Sequence, residues 1–344
     1  QVLALARYGR LGASSRVRVY QYLPALGAMG MNIDVQPLLS DQYVRDLYAG
    51  RPPALAAIVR GYAGRVVAAL KSGVRVIWLE KELLPWMPLW LERLLLARAT
   101  RLVIDYDDAV WLRYQEHTSA LVRGMLGGKL PALMRRADHV VAGNPWLAAC
   151  ARQWGCRNVS VLPSVVDLQQ YPVRTDALVN TRFNIGWIGS PATVKYLRVL
   201  GPILKELSES RPIRFICVGA ECPVMPGVEV ESRPWSEQTQ AADIRSFHIG
   251  VMPLAEGNWE QGKCGYKLLQ YMASGVPVIA SRVGANREIV TEGVDGLLAA
   301  PGAEWLAAFR RLLDEPHLAR QFAAAARTKV EREYSVASRA PELA

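Results

Sequence analysis

Three stretches concentrate residue types that could do chemistry. The first is Gly262-Lys263-Cys264-Gly265-Tyr266-Lys267, which opens a helical pattern. Gly262 and Gly265 let the backbone approach a ligand closely. The free N–H groups and dipole of a helix start favour a phosphate. Lys263 and Lys267 add positive charge at the end of a helix where the dipole disfavours it, so they need a reason to be there. The second is Gly189-Ser190-Pro191 with Lys195 beyond it, directly after the apolar run Phe183–Ile188. The third lies in the first half, where Arg101–Asp105 runs into Tyr106-Asp107-Asp108. Carboxylates this close repel one another unless a ligand or cation compensates. They suit hydrogen bonds to sugar hydroxyls, positioning of an acceptor, or a metal; capping the next helix is the plainer role for Asp107 or Asp108. A small basic loop at Tyr8–Arg18, with Gly12, Ser14, Ser15, Arg16 and Arg18, makes a further anion site or an ordinary turn.

Several chemistries lose their evidence. Gly257, Gly262 and Lys263 have P-loop spacing, but Cys264 stands where a magnesium-binding hydroxyl belongs. Gly9 and Gly12 are wrongly spaced for a dinucleotide fingerprint. The 5 cysteines are irregularly placed, which fits neither a disulfide framework nor a zinc site.

The elements that must position these loops alternate from end to end. In the first half, apolar runs at Val2–Ala6, Ile33–Leu38, Val74–Leu79, Arg101–Asp105, His139–Ala142 and Val159–Leu162 read as strands. Helical patterns separate them: Ser15–Met29, Pro53–Lys71, Leu83–Arg98, Thr118–Arg136 and Pro145–Trp154. The second half repeats the scheme, with strands at Phe183–Ile188, Ile213–Val218, Val228–Glu231, Ile249–Pro253, Val276–Ala280 and Leu297–Ala299. Its helices are Tyr196–Ser210, Glu237–Phe247, Tyr266–Ser274, Ala303–Glu315 and His317–Tyr334. Strands alternating with helices predict parallel sheets, and two such series predict an α/β protein of two doubly wound Rossmann-like domains facing across a cleft. The boundaries expected are 1–175, 176–316 and a final helical segment 317–344.

The chain has 344 residues, 51% hydrophobic and 21% charged, which suits a globular protein of two domains. No apolar run approaches the ~18 residues a membrane span needs. The net charge of +10 is unevenly distributed. Residues 1–175 carry 22 Lys and Arg against 12 Asp and Glu; residues 176–344 carry 19 against 19. A basic first half predicts an anionic partner there.

LLQYMASGVPVIASRVGANREIVTEGVDGLL (Leu268–Leu298), AADIRSFHIGVMPL before it, and VVAGNPWLAACARQWGCRNVSVLPSVVD in the first half together resemble the GT-B-fold glycosyltransferases, specifically the retaining, nucleotide-sugar-dependent family 4. The resemblance covers nearly the whole chain, and it implies that the final segment 317–344 crosses back to brace the first domain. Where that family has two glutamates separated by seven residues, this chain has Gly262 and Gln270. The resemblance implies that the first contacts the donor sugar and the second the ribose, so Glu256 or Glu260 is expected to stand in for the first. The family's phosphate-binding Arg and Lys become Ser190 and Lys195, with Lys263 and Lys267 as replacements.

The expectation is therefore a metal-independent, retaining glycosyltransferase of hexosyltransferase type, acting in glycan or glycolipid biosynthesis. Its donor would be a nucleotide sugar such as a UDP- or GDP-sugar, with no further cofactor. Lys195 and Lys267 would stabilise the leaving diphosphate, and Asp107 and Asp108 would orient sugar or acceptor hydroxyls. Gly12, Ser15, Arg16, Gly189, Ser190, Lys263, Cys264, Gly265, Tyr266 and Gln270 would line the donor, with Trp235 bordering the base or packing in the core. The acceptor would be a glycan or lipid-linked compound, with no nucleic-acid partner. The expected location is cytoplasmic, with peripheral contact to anionic membrane. A catalytically silent nucleotide-sugar-binding module is the alternative, supported by Gly262.

Overall fold

The computed structural model describes residues 2–71, 73–98, 101–174 and 182–344. Contacts divide the chain into two compact units. The first runs to Ser164 and also takes Gln261–Cys264 and Arg339–Ala344; the second comprises Val165–Glu260 and Gly265–Ser338. The expected boundary between residues 175 and 176 lies outside the described residues.

The first unit holds a parallel sheet of β1 (Val2–Leu5), β2 (Ile33–Val35), β3 (Val76–Glu80), β4 (Arg101–Tyr106), β5 (His139–Ala142) and β6 (Val159–Val161), in the order β2-β1-β3-β4-β5-β6. The second holds β7 (Phe183–Ile188), β8 (Ile213–Val218), β9 (Glu229–Arg233), β10 (Ile249–Met252), β11 (Val278–Ser281) and β12 (Leu297–Ala299), in the order β12-β11-β10-β7-β8-β9. Each order reverses direction once, between β1 and β3 in the first unit and between β7 and β10 in the second. In open parallel sheets ligands bind beyond the carboxyl ends of the strands at that reversal.

Burial on both faces explains why the inner strands read as continuous apolar runs, while the edge strands β2, β6 and β9 are half-exposed and carry polar residues. In the second unit Ile188, Ile216 and Val218 join one core cluster and Ile185, Trp187, Phe215 and Cys217 the other. Alternate residues of a strand thus serve opposite faces. The helix Tyr266–Ala273 covers one face, and Trp305 and Phe309 of Ala303–Asp314 the other.

Several expected helices are broken by their own sequence. Thr118–Arg136 forms Ala120–Leu126 and Lys129–Arg136, parted at Gly127-Gly128. Ser15–Met29 divides into Ala13–Arg18 and Leu23–Ala28, the second started by Pro24. Pro202 restarts the chain as Gly201–Ser210 after a 3-10 segment at Pro191–Leu200. A helix at Asp41–Tyr48, capped by Ser40, had no counterpart in the reading of the sequence. The segment expected to brace the first domain is mostly built into the second unit. Ala326 and Val330 of Pro316–Glu333 enter its core, and only Arg339–Ala344 groups with the first. Among the described residues, no helix is long and apolar enough to cross a membrane.

Candidate functional site

In the second unit, the turn after β7 and the helix Tyr266–Ala273 converge. Gly265, with φ +66°, turns the chain into that helix. A Cβ on Gly189 would come within 2.6 Å of Lys267 Cε and 2.4 Å of the Trp187 ring, so only glycine lets the lysine lie across the turn. Lys267 Nζ stands 5.1 Å from the Trp187 ring centroid and 3.4 Å from Thr193 Oγ1. The Ser190 carbonyl accepts from Thr193 N at 2.9 Å and from Thr193 Oγ1 at 3.0 Å. Gly189, Ser190 and Lys267 therefore form one constellation at the reversal point. Lys195 is exposed on the following 3-10 segment, its Nζ 5.1 Å from the Tyr196 ring centroid. Tyr266 is half-buried at the helix start.

Gln270, expected on the ribose, is buried and engaged internally. Its Nε2 donates to Tyr171 Oη at 2.7 Å and to Gln240 Oε1 at 3.2 Å. Trp235 Nε1 donates to the same Gln240 oxygen at 3.2 Å, and its ring packs on the core. Glu260, a candidate stand-in for the missing glutamate, is buried and accepts from the Tyr196 hydroxyl; Glu256 is exposed.

In the first unit, the reversal between β1 and β3 holds a buried polar cluster. Ser14 Oγ lies 2.7 Å from Glu80 Oε1 and 2.6 Å from Asp107 Oδ2, and accepts from Lys81 Nζ at 2.9 Å. Lys81 Nζ also pairs with Asp107 Oδ1 at 2.9 Å. Burial pushes the Asp107 carboxyl up, but the Lys81 ammonium and the bonds from Ser14 and Lys81 outweigh it and hold it at about 2. Asp107 is thus an ionised acceptor. Lys81 adopts φ +66°, a left-handed conformation costly for a side chain of its size. Beneath, Arg18 grips Asp105 with two bonds of 2.8 Å and donates to the Leu162 carbonyl at 2.8 Å. Asp105 is therefore a structural anchor.

The other predicted residues of this unit face inward. Ser15 Oγ accepts from Tyr8 N at 2.9 Å and donates to Glu80 Oε2 at 2.6 Å. Arg16 is buried and donates to the Arg10 carbonyl at 3.2 Å. Gly12 precedes the helix Ala13–Arg18 and packs on Tyr8. Lys263, expected on a diphosphate, pairs with Asp108 at 2.8 Å. The buried Cys264 thiol, pushed up by burial, donates to the Asp107 carbonyl at 3.1 Å. Asn144 Nδ2 holds the carbonyls of Gln261 and Lys263, each at 3.0 Å. A Cβ on Gly262 would lie 2.7 Å from Ala109 Cβ and 2.8 Å from its backbone N, which is why no glutamate stands there. Among the described residues, no group of three or more His, Cys, Asp or Glu is placed to hold a metal.

Glu80, Lys81 and Asn144 were not anticipated as site residues. The signal for the first two was a run of charge, Glu80-Lys81-Glu82, directly ending an apolar strand. Asn144 showed only as a helix cap before Pro145.

This architecture is that of the GT-B class, two Rossmann-like units in one chain. Sucrose-phosphate synthase from Thermosynechococcus elongatus superposes with a TM-score of 0.74 at 17% identity, covering 100% of this chain and 97% of that one. HepE from Anabaena, solved with UDP-glucose, gives 0.74 at 16%, covering 99% and 97%. A glycosyltransferase from Rickettsia africae gives 0.70 at 11%, covering 99% and 96%. At these identities the likeness is one of fold. In sequence, residues 182–315 match the family model described as Glycosyl transferases group 1. No curated protein matches the chain.

Proposed function

We propose that the protein is a glycosyltransferase that moves a sugar from a nucleoside-diphosphate donor to an acceptor hydroxyl. The reading extends to a retaining hexosyltransferase of family 4, acting without a metal in glycan or glycolipid synthesis. The observation that carries it is Lys267 lying across the Gly189–Ser190 turn, within the stretch that matches the glycosyltransferase model. As the sugar–phosphate bond breaks, negative charge develops on the leaving diphosphate. The Lys267 ammonium and the first N–H groups of Tyr266–Ala273 are preorganised to meet it. Lys195 and Ser190 flank that position, and Tyr266 and Trp235 border the nucleoside. Gln270 acts through Tyr171 and Gln240, bracing the helix that carries Lys267.

The first unit would take the acceptor, a glycan or lipid-linked hydroxyl compound, and contact anionic membrane peripherally. Asp107, kept ionised by Lys81, accepts a hydrogen bond from an acceptor hydroxyl, and Lys263 holds Asp108 beside it. UDP-glucose in the HepE structure makes a UDP-sugar the first donor to try, with GDP-sugars second.

The test is a thermal-shift panel of nucleotide sugars followed by an assay of nucleoside-diphosphate release. A donor at ~100 times its dissociation constant stabilises by about 2.7 kcal/mol. Stabilisation with no release, in the presence of candidate acceptors, would identify a silent binding module. Release is expected to survive EDTA; loss on chelation restored by magnesium or manganese would assign the chemistry to a metal.

A further inference from the structure

The segment following β3 inverts the usual pattern of a surface helix. In Leu89–Leu95 the carboxylate faces in and the aromatic faces out. Glu92 is fully buried, pairing with Lys129 at 2.7 Å and accepting from Leu84 N at 2.9 Å. Trp90 and Leu94, one helical turn apart, are 66% and 64% exposed. A helix facing only water would present the reverse. Trp86, just before the helix, is 50% exposed and sits at φ +63°. Its backbone N–H donates to Tyr114 Oη at 3.0 Å and its ring stands edge-on to Tyr114 and His117. A bulky residue held outward on a strained backbone points to a use for its exposure.

A second helix repeats the arrangement. Leu121 and Met125, again one turn apart on Ala120–Leu126, are 71% and 58% exposed. Both helices pack on Lys129–Arg136, which places the two apolar pairs on neighbouring elements. The charge these three helices expose has one sign. Their carboxylate, Glu92, is buried, whereas Arg93, Arg123, Arg135 and Arg136 are exposed.

We infer that this face of the first unit docks on an anionic lipid surface, with Trp86, Trp90, Leu94, Leu121 and Met125 entering the headgroup region and the surrounding arginines meeting lipid phosphates. Apolar side chains supply burial and tryptophan suits the boundary between water and hydrocarbon. Arginines near such a surface add attraction in proportion to their number. A second copy of the chain fits less well, because a symmetric interface would set like charges against each other. The inference gives the proposed membrane contact its surface, and rests on the glycosyltransferase reading only for the lipid-linked acceptor.

The experiment is co-sedimentation of the full chain with vesicles of phosphatidylcholine alone or with phosphatidylglycerol added, without donor. Binding is expected only to the anionic vesicles, and to fall steeply as salt shortens the screening length from ~10 Å at 0.1 M to ~3 Å at 1 M. Trp90→Ser with Leu94→Ser is expected to weaken binding about tenfold or more, with the melting temperature and donor-dependent nucleotide release unchanged. A separate Arg93→Glu variant should weaken binding to anionic vesicles while leaving the apolar face intact. No binding of the wild type to anionic vesicles at low salt overturns the inference. So does full binding by the double variant, or a lipid-free dimer that the double variant abolishes. Nucleotide release is read without vesicles, so its failure and that of membrane binding are told apart.

Discussion

Lys81 and Asp107 are both close to fully buried, and neither charge is tolerable there without the other. Lys81→Met should therefore cost about 3–5 kcal/mol of stability at neutral pH, the range for breaking a buried pair. The pH dependence has a definite sign. The Asp107 carboxyl is depressed to about 2, so its contribution is complete above the ordinary carboxylate range and lost as pH falls through 2. In Lys81→Met that acid limb should move to higher pH, as read by urea midpoints across the acid range. Lys267 sits in a different balance, over the Trp187 face and beside the Thr193 hydroxyl. Lys267→Ala should fold normally and lower turnover by roughly 10²–10³, the range for losing one preorganised transition-state contact. Wild-type nucleotide release by that variant would remove Lys267 from the chemistry.

At the scale of elements, β7 and β10 are clasped at their starts. His248 N donates to the Asn184 carbonyl at 2.8 Å, and Asn184 N donates to His248 Nδ1 at 2.9 Å. That second bond needs a neutral imidazole. Burial and the neighbouring Arg174 lower the His248 pKa from 6.5 to about 4. A depressed folded value means the unfolded chain binds the proton first, so stability falls as pH drops from 6.5 towards 4. His248→Gln should flatten that part of the urea-midpoint profile relative to wild type. Gly262→Glu, which restores the glutamate of the family signature, forces atoms into Ala109 and should destabilise by about 1–3 kcal/mol without raising turnover. The inner strands were legible in the sequence because burial on both faces leaves apolar runs, whereas the edge strand β9 is half-exposed and carries Glu229, Glu231 and Arg233. The Gly189–Lys267 meeting was legible too, since both loops follow strands flanking the reversal. Ser15, Arg16 and Gln270, expected along the donor, have hydrogen-bond partners within the protein itself. Small, basic and amide residues near a loop look alike in sequence whether their partner is a ligand or the protein's own Tyr8, Arg10 or Tyr171.

At the scale of the whole molecule, the compact units are not two successive lengths of chain. The first is completed by Gln261–Cys264 and Arg339–Ala344, which lie far along the sequence. A fragment ending at Ser164 would lose the carbonyls that Asn144 holds and the thiol that caps the Asp107 carbonyl. It should melt below the corresponding transition of the full chain, by about 2–4 °C for each kcal/mol lost. Asn144→Ala in the full chain should reproduce part of that loss. The same arrangement sets an order of events on the ribosome. A chain emerging at ~5–20 residues per second presents Ser164 roughly 10–40 s before Ala344. Asn144 and the Asp107 carbonyl stay uncovered until Gln261–Cys264 has emerged, about 100 residues after Ser164, when Gly265–Ser338 of the second unit is still to be made. The unit that begins to form first thus takes in pieces made after most of the second unit, so its folding waits on chain that the ribosome delivers late.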